Sequence, residues 1–228
     1  MKTSRSRHLR GFTLVELMVV VVMITVLGSL VFAATKTVKS RANQTVCANN
    51  MRQIGIALQA YADDNGEYPS TGHTERLDRS WIYELEGYLG DFNKLRVCPA
   101  DPKAEERLKE HGTSYVLNSF VFVPKTDPFG NPMGTRMNRP SALRDPSGTL
   151  LAFCCADHTP AGPGNDHTHS ERWTSWAAVT RDIAPDRHGG KRSNYLYADG
   201  RVVAWNQEEL KREVESGTNF AKPPGYKE

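Results

Sequence analysis

The sequence predicts an α+β protein in which one long N-terminal helix packs on a small antiparallel β-sheet. An apolar run begins at Phe12 and continues into a stretch with apolar residues at helical spacing. Short segments with strand and turn patterns follow this stretch. The chain has 228 residues, which is enough for one globular domain behind such a helix.

The first part of the predicted helix is a membrane segment at residues 12–35. These 24 residues would span roughly 36 Å as a helix, which matches the hydrocarbon core of a bilayer. A basic leader at residues 1–11 precedes the segment, and such leaders stay in the cytoplasm. We therefore predict a single-pass protein of the inner (cytoplasmic) membrane with an extracytoplasmic body.

The second part, residues 36–66, is predicted to be an amphipathic continuation of the same helix. Met51, Ile54, Leu58 and Tyr61 recur at helical spacing and form one apolar stripe. Asn65-Gly66 supplies the left-handed residue at which helices commonly end. The stripe predicts that this half of the helix packs on the globular domain.

Residues 67–228 are predicted to form an extracytoplasmic α+β domain. Asp199-Gly200 between two apolar runs predicts a β-hairpin with a type I′ turn. The predicted elements are helices at Ser80–Leu89, Lys103–Glu110 and Gln207–Val214, and strands at Ser114–Val123, Thr149–Cys155, Asn194–Ala198 and Arg201–Trp205.

The charge distribution gives no support to a nucleic-acid partner. The formal net charge is +3, but four of the 29 basic side chains lie in the leader. The rest of the chain has 25 basic against 26 acidic side chains. Because nucleic-acid binding needs a basic surface, we expect no such partner.

Four cysteines leave two interpretations open. In an oxidising compartment, Cys47 and Cys98 are the plausible disulfide, whereas the alternative is that all four cysteines are small buried apolar residues. Cys154 and Cys155 are adjacent in a predicted strand, so their side chains should face opposite ways. No CxxC pair exists, which argues against a structural zinc site.

The segment from Asp157 to Glu171 contains three histidines and three acids, the residue types that bind transition metals. It is also rich in glycine and proline, and a solvated loop is the favoured interpretation. We expect neither a metal nor a cofactor.

The segment Gly11-Phe12-Thr13-Leu14-Val15-Glu16 resembles the processing site of type IV prepilins and type II secretion pseudopilins. Tyr61 and the later Asp-Asn-Gly-Glu-Tyr-Pro stretch are also similar to major pseudopilins. The resemblance implies that prepilin peptidase cuts between Gly11 and Phe12 and that Phe12 is then methylated. One departure from the family is that the predicted membrane helix, residues 12–35, lacks the proline that many type IV pilins have there.

The same resemblance implies a structural subunit of a type II secretion or type IV pilus-like filament. Its partners would be prepilin peptidase, copies of itself or other pilin-like subunits, the inner-membrane assembly machinery and the lipid bilayer. Cleavage creates an amine at Phe12, and Glu16 of a neighbouring subunit can neutralise it. Such pairing offsets the cost of each charge in an apolar setting.

His188, Asp199 and Gly200 are similar to a C-terminal signature in one branch of prepilin-like proteins, although one extra residue separates His188 from Asp199. We expect His188 to orient Asp199 through a hydrogen bond. No nucleophile motif accompanies the pair, so no enzyme is predicted. The alternatives are a membrane-anchored binding or adhesion domain that does not polymerise, and a metal-dependent hydrolase built on His188 and Asp199.

Overall fold

The computed structural model describes residues 13–69, 71–72, 80–124, 127, 129, 133 and 136–226. The chain divides into two compact units, Met1–Lys39 and Ser40–Glu228. The predicted leader, residues 1–11, lies outside the described residues, as do Gly11 and Phe12. The predicted division into a leader, a membrane segment, a helical continuation and an extracytoplasmic domain stays a prediction.

Helix α1 (Leu14–Asn65) supplies the described part of the first unit. It is unbroken at Gly28, where the sequence has its weakest helix former. The hydroxyls of Thr25 and Ser29 each donate to the backbone carbonyl three residues earlier, at 2.8 Å, so neither is left without a partner. Within the described part of the chain, no helix combines the length and the hydropathy needed to cross a bilayer.

The second unit contains the C-terminal part of α1. Met51, Ile54 and Leu58 are almost fully buried there, which confirms the predicted stripe, and Tyr61 is partly buried. Gly66 has a φ of 79° and donates its N–H to the Ala62 carbonyl at 2.8 Å, so the helix ends as predicted.

A four-stranded antiparallel sheet forms the centre of the second unit. Its strands are β1 (Tyr115–Leu117), β2 (Leu150–Cys154), β3 (Arg192–Tyr197) and β4 (Val202–Asn206), and their spatial order follows the sequence. Cys154 belongs to the core cluster that contains the α1 stripe, and Cys155 belongs to a second cluster. The two cysteines therefore face opposite sides of the sheet, as predicted.

The second cluster was not predicted from the sequence. It contains Trp173, Val179 and Leu210, so the sheet is buried on both faces. The remaining helices are α2 (Trp81–Glu84), α3 (Phe92–Leu95), α4 (Ala104–Lys109), α5 (Ser119–Phe122), α6 (Trp176–Asp182) and α7 (Gln207–Glu215), with 3-10 turns at Glu86–Tyr88, Pro140–Ala142 and Ser170–Arg172.

Two local predictions are wrong. The strand predicted at Ser114–Val123 ends at Leu117, because the Asn118 side chain accepts a hydrogen bond from the Phe120 N–H and starts helix α5. The β3–β4 turn is not type I′. Only Gly200 has a positive φ there, 84°, and its N–H donates to the Tyr197 carbonyl, which describes a type I turn followed by a glycine bulge.

Asn118 is fully buried and joins distant segments. Its side-chain nitrogen donates to the carbonyls of Leu150 and Ala221, both at 2.8 Å, and its oxygen accepts from the Ser170 hydroxyl. We expect Asn118→Ala to cost about 2 kcal/mol, because it leaves several buried groups unsatisfied. The melting temperature of the full-length chain should fall by roughly 4–8 °C. The exposed Asn49→Ala serves as control; an equal shift in both variants would contradict the prediction.

Candidate functional site

The first candidate site is the start of α1, where Thr13 and Glu16 form a capping box. The Thr13 backbone N–H and hydroxyl donate to Glu16 Oε2 at 2.8 and 2.7 Å, and the Glu16 N–H donates to Thr13 Oγ1 at 3.2 Å. This reciprocal arrangement satisfies helix N-terminal donors that have no partner within the helix. Glu16 is therefore held at the helix end, where a carboxylate also complements the helix dipole.

The helix that follows Glu16 presents apolar side chains around its whole circumference. The large apolar residues described between Leu14 and Leu27 are each at least 45% exposed. A helix that is apolar on all sides needs an apolar environment, either lipid or other helices. The first unit thus combines one helix-end carboxylate with an apolar surface suited to packing.

The second candidate site lies inside the second unit and brings together residues from four separate segments. Cys47 comes from α1, Cys98 from the turn after α3, Cys154 from β2 and His188 from the loop before β3. All four are buried, and their ligand-type atoms lie within 4.8 Å of one another. Cys47 Sγ is 3.7 Å from Cys154 Sγ, and Cys98 Sγ is 3.9 Å from His188 Nε2.

The structure contains no bond between Cys47 and Cys98, the pair predicted as a disulfide. All four cysteines are free and buried. The physical reason is the cluster itself, since the thiols of Cys47, Cys98 and Cys154 share their surroundings with one another and with an imidazole. The missing CxxC pair was used above as an argument against a structural zinc site. That argument does not apply to this cluster, because its residues come from four separate segments and not from two closely spaced cysteine pairs.

His188 is placed in the cluster by a tight loop. The loop is closed by hydrogen bonds between the backbones of His188 and Arg192, and Gly190 in it has a φ of 77°. The Gly189 N–H donates to Ser40 Oγ at 2.8 Å, and a Cβ at Gly189 would lie 2.4 Å from that oxygen. The His-Gly-Gly sequence therefore serves a close approach to α1 and a left-handed turn.

The predicted hydrogen bond between His188 and Asp199 is wrong. Asp199 accepts from the Arg201 N–H at 3.1 Å and pairs with the Arg201 guanidinium at 3.2 Å. His188 lies before β3 and Asp199 after it, so the six residues of the strand separate them by about 20 Å. The structure therefore gives no support to a catalytic His188–Asp199 pair.

The surroundings keep the cluster residues uncharged in the absence of a metal. Burial, followed by the nearby Arg187 guanidinium, lowers the pKa of His188 to about 4. The hydrogen bond with Cys154, together with burial, raises the pKa of Cys47. On the other face of the sheet, burial raises the pKa of Cys155 to about 11. None of these groups resembles the exposed low-pKa thiolate of a catalytic cysteine.

The histidine-containing loop is not gathered into a metal site within the described residues. His167 Nδ1 is 2.7 Å from Asp166 Oδ1, and the Asp182 carboxylate accepts from the His169 N–H at 2.7 Å. These contacts tie the loop to its neighbours. The solvated loop favoured from the sequence is wrong for the second half of this segment, because Asp166, Thr168 and Ser170 are fully buried.

Comparison with known proteins finds a family model over the part of the chain that contains Thr13 and Glu16. The family model of the prokaryotic N-terminal methylation motif matches residues 6–32. A second family model, described as a protein of unknown function (DUF1559), matches residues 39–91. No solved structure matches the chain.

Three relatives, each named type II secretion system core protein G, illustrate the similarity. The Escherichia coli K12 protein is 31% identical over 116 residues, which are 48% of this chain and 80% of the relative. The Dickeya chrysanthemi protein is 38% identical, covering 52% and 79% of the two chains. The Klebsiella michiganensis protein is 37% identical, covering 43% and 70%.

The long N-terminal helix, the small antiparallel sheet and the methylation motif define a pilin-like subunit of the prepilin and pseudopilin class. Within that class, the chain belongs to the family of type II secretion system core protein G. It is a pseudopilin subunit.

Proposed function

We propose that the subunit is cut by prepilin peptidase after Gly11, methylated at Phe12 and assembled through α1 into a type II secretion filament. Before assembly, residues 12–35 hold it in the inner membrane, with the C-terminal domain outside the cytoplasm. In the filament it contacts other copies of itself or other pseudopilins, and the inner-membrane machinery adds it to the growing end.

The capping box of Thr13 and Glu16 is the observation that carries this proposal. It fixes a carboxylate one turn from the amine that cleavage would create at Phe12. Neighbouring subunits staggered along the filament axis would pair that amine with Glu16. Because both charges are costly in an apolar environment, their pairing would favour one register of assembly.

We propose further that the subunit has no catalytic activity. His188 and Asp199 lie at opposite ends of β3, and the described cysteines are buried. The relatives are named as core proteins of a secretion system.

Mass spectrometry of the subunit purified from membranes that contain prepilin peptidase tests the processing step. We expect a chain that begins at Phe12 and carries one added methyl group on its N-terminal nitrogen. Gly11→Val should leave the chain uncut, because the branched side chain blocks the position before the scissile bond. An intact N-terminus in the unmodified protein, or a cut at Ala34, would overturn the proposal in favour of an anchored domain that does not polymerise.

A further inference from the structure

We propose that Cys47, Cys98, Cys154 and His188 bind one structural zinc ion in the core of the second unit. The four ligand-type atoms lie within 4.8 Å of one another, and their residues are at most 3% exposed. Three thiolates and one imidazole are a ligand set found in structural zinc sites. Four protein ligands leave no open coordination position, so the ion would be structural rather than catalytic.

The distances fit a tetrahedral zinc ion. Two sulfurs at about 2.3 Å from such an ion lie about 3.8 Å apart, and a sulfur and a nitrogen lie about 3.6 Å apart. The observed distances are 3.7 Å for Cys47 Sγ to Cys154 Sγ and 3.9 Å for Cys98 Sγ to His188 Nε2. A disulfide would require its sulfurs about 2.05 Å apart.

The burial of His188 argues against a purely apolar packing of the cluster. Burying an imidazole costs free energy unless its nitrogens find partners. His188 is 3% exposed, its Nε2 has only a weak contact with the Cys98 thiol at 3.9 Å, and its Nδ1 has no hydrogen-bond partner among the described residues. With three thiols in the cluster, any single disulfide would leave one thiol and this imidazole unpartnered. A zinc ion gives all four residues a bond.

Groups around the cluster are placed to stabilise metal-bound thiolates. The backbone of Ala100 and the side chain of Asn194 lower the pKa values of Cys98 and Cys47, respectively, against the effect of burial. Asn194 is itself fixed, because its nitrogen donates to the Gln44 carbonyl of α1 at 2.9 Å. Hydrogen bonds from N–H donors to ionised acceptors are stronger than neutral ones, and such outer contacts orient metal ligands.

The buried cations beside the cluster favour a negatively charged ligand set. Arg107 and Arg187 are each 1% exposed, yet they share one buried carboxylate, Asp101. Arg187 also pairs with Asp157, whose Oδ1 lies 2.5 Å from the Arg187 Nη1, but that carboxylate is 65% exposed. Three thiolates with one Zn²⁺ and a neutral imidazole carry one negative charge, and Cys154 is among the groups that interact with Arg187. The Arg187 guanidinium would therefore stabilise the negative charge of the zinc-bound cluster.

Binding releases one proton from each of the three thiols, and His188 binds through its neutral form. No oxidant or reductant takes part. The ion would join α1 to the turn after α3, to β2 and to the loop before β3. Cys47 and Cys154 are 107 residues apart, so the zinc would close long loops and add to the stability of the folded domain.

Metal analysis of the full-length chain, purified in detergent without chelators, tests the proposal. We expect about one zinc per chain. X-ray absorption should show three sulfurs at about 2.3 Å and one nitrogen at about 2.0–2.1 Å. The absorption measurement needs no variant, so it decides the question even if a ligand variant fails to fold. A chain without stoichiometric zinc overturns the proposal, as does one whose non-reduced peptide map contains a disulfide between two of the cluster cysteines.

Cys98→Ser and Cys155→Ser form a matched pair, because both cysteines are buried and only Cys98 belongs to the cluster. In competition with a chromophoric chelator, we expect Cys98→Ser to weaken zinc binding by more than about 100-fold. Cys155→Ser should retain the zinc. Full retention in Cys98→Ser, or equal loss in both variants, overturns the assignment of the ligands.

Discussion

Glu16→Gln is expected to be processed and to enter the membrane normally, yet to be absent from filaments. Glutamine is as suitable as glutamate at the third position of a capping box, so the helix start is preserved. The substitution removes the negative charge and with it the partner of the Phe12 amine. An unpaired amine buried between apolar helices is costly, so assembly in that register should fail. Filament content is measured by shearing and immunoblotting and compared with total subunit.

Thr13→Val is the complementary variant, because it removes the capping hydroxyl and keeps the Glu16 carboxylate. We expect it to cost about 1 kcal/mol of helix stability and to leave filaments largely intact. Normal filaments from Glu16→Gln would show that charge pairing does not drive assembly. Loss of filaments from Thr13→Val alone would assign the role of Glu16 to the helix end rather than to the amine.

Asp101→Ala is expected to destabilise the second unit by about 3–5 kcal/mol. The Arg107 Nε lies 2.7 Å from Asp101 Oδ2, and the two side chains are at most 1% exposed. Arg187 is a second guanidinium near the same carboxylate, at 3.6 Å. Removing the Asp101 carboxylate takes an ion-pair partner from two buried guanidiniums. The loss of folding free energy is far larger than for an exposed ion pair. Melting temperature should fall by roughly 6–20 °C.

The pH dependence gives a second measurement on the same residue. Burial by itself would raise the pKa of Asp101, but the guanidiniums of Arg107 and Arg187 contribute to a net lowering of the pKa. A lowered carboxyl pKa adds stability above the unfolded-state pKa, and this stability is lost as the pH falls through the folded-state pKa. The difference in melting temperature between wild type and Asp101→Ala should therefore shrink below about pH 4.

Asp91→Ala is the control, because Asp91 is exposed and caps no N–H with its side chain. We expect its melting temperature to change little. A fall of similar size in both variants, or a difference from wild type that persists at low pH, would contradict the assigned role of Asp101.

The regular elements were largely predictable because their signals are local. The stripe of Met51, Ile54 and Leu58 and the stop at Gly66 depend on residues within a few turns of one helix. The hairpin around Gly200 was predicted for the same reason, although its turn type was not. The strand predicted beyond Leu117 failed because one side chain, Asn118, competes for the backbone and starts a helix.

The candidate sites divide in the same way. Glu16 was identified from its position in the motif, and its partner Thr13 was missed although Thr-x-x-Glu is a recognisable capping pattern. The cluster of three cysteines and His188 had no such pattern, since no two of its members lie close in sequence. The distance between His188 and Asp199 was also not predicted from the sequence, because it depends on the strand between them being fully extended.

The sequence by itself determined the class of the protein, the long helix and the charge at its start, because these follow from contiguous residues. The tertiary structure alone decided where the cysteines and His188 lie relative to one another. Their association depends on α1, β2 and two loops meeting in one core, and packing between segments far apart in the chain brings them together.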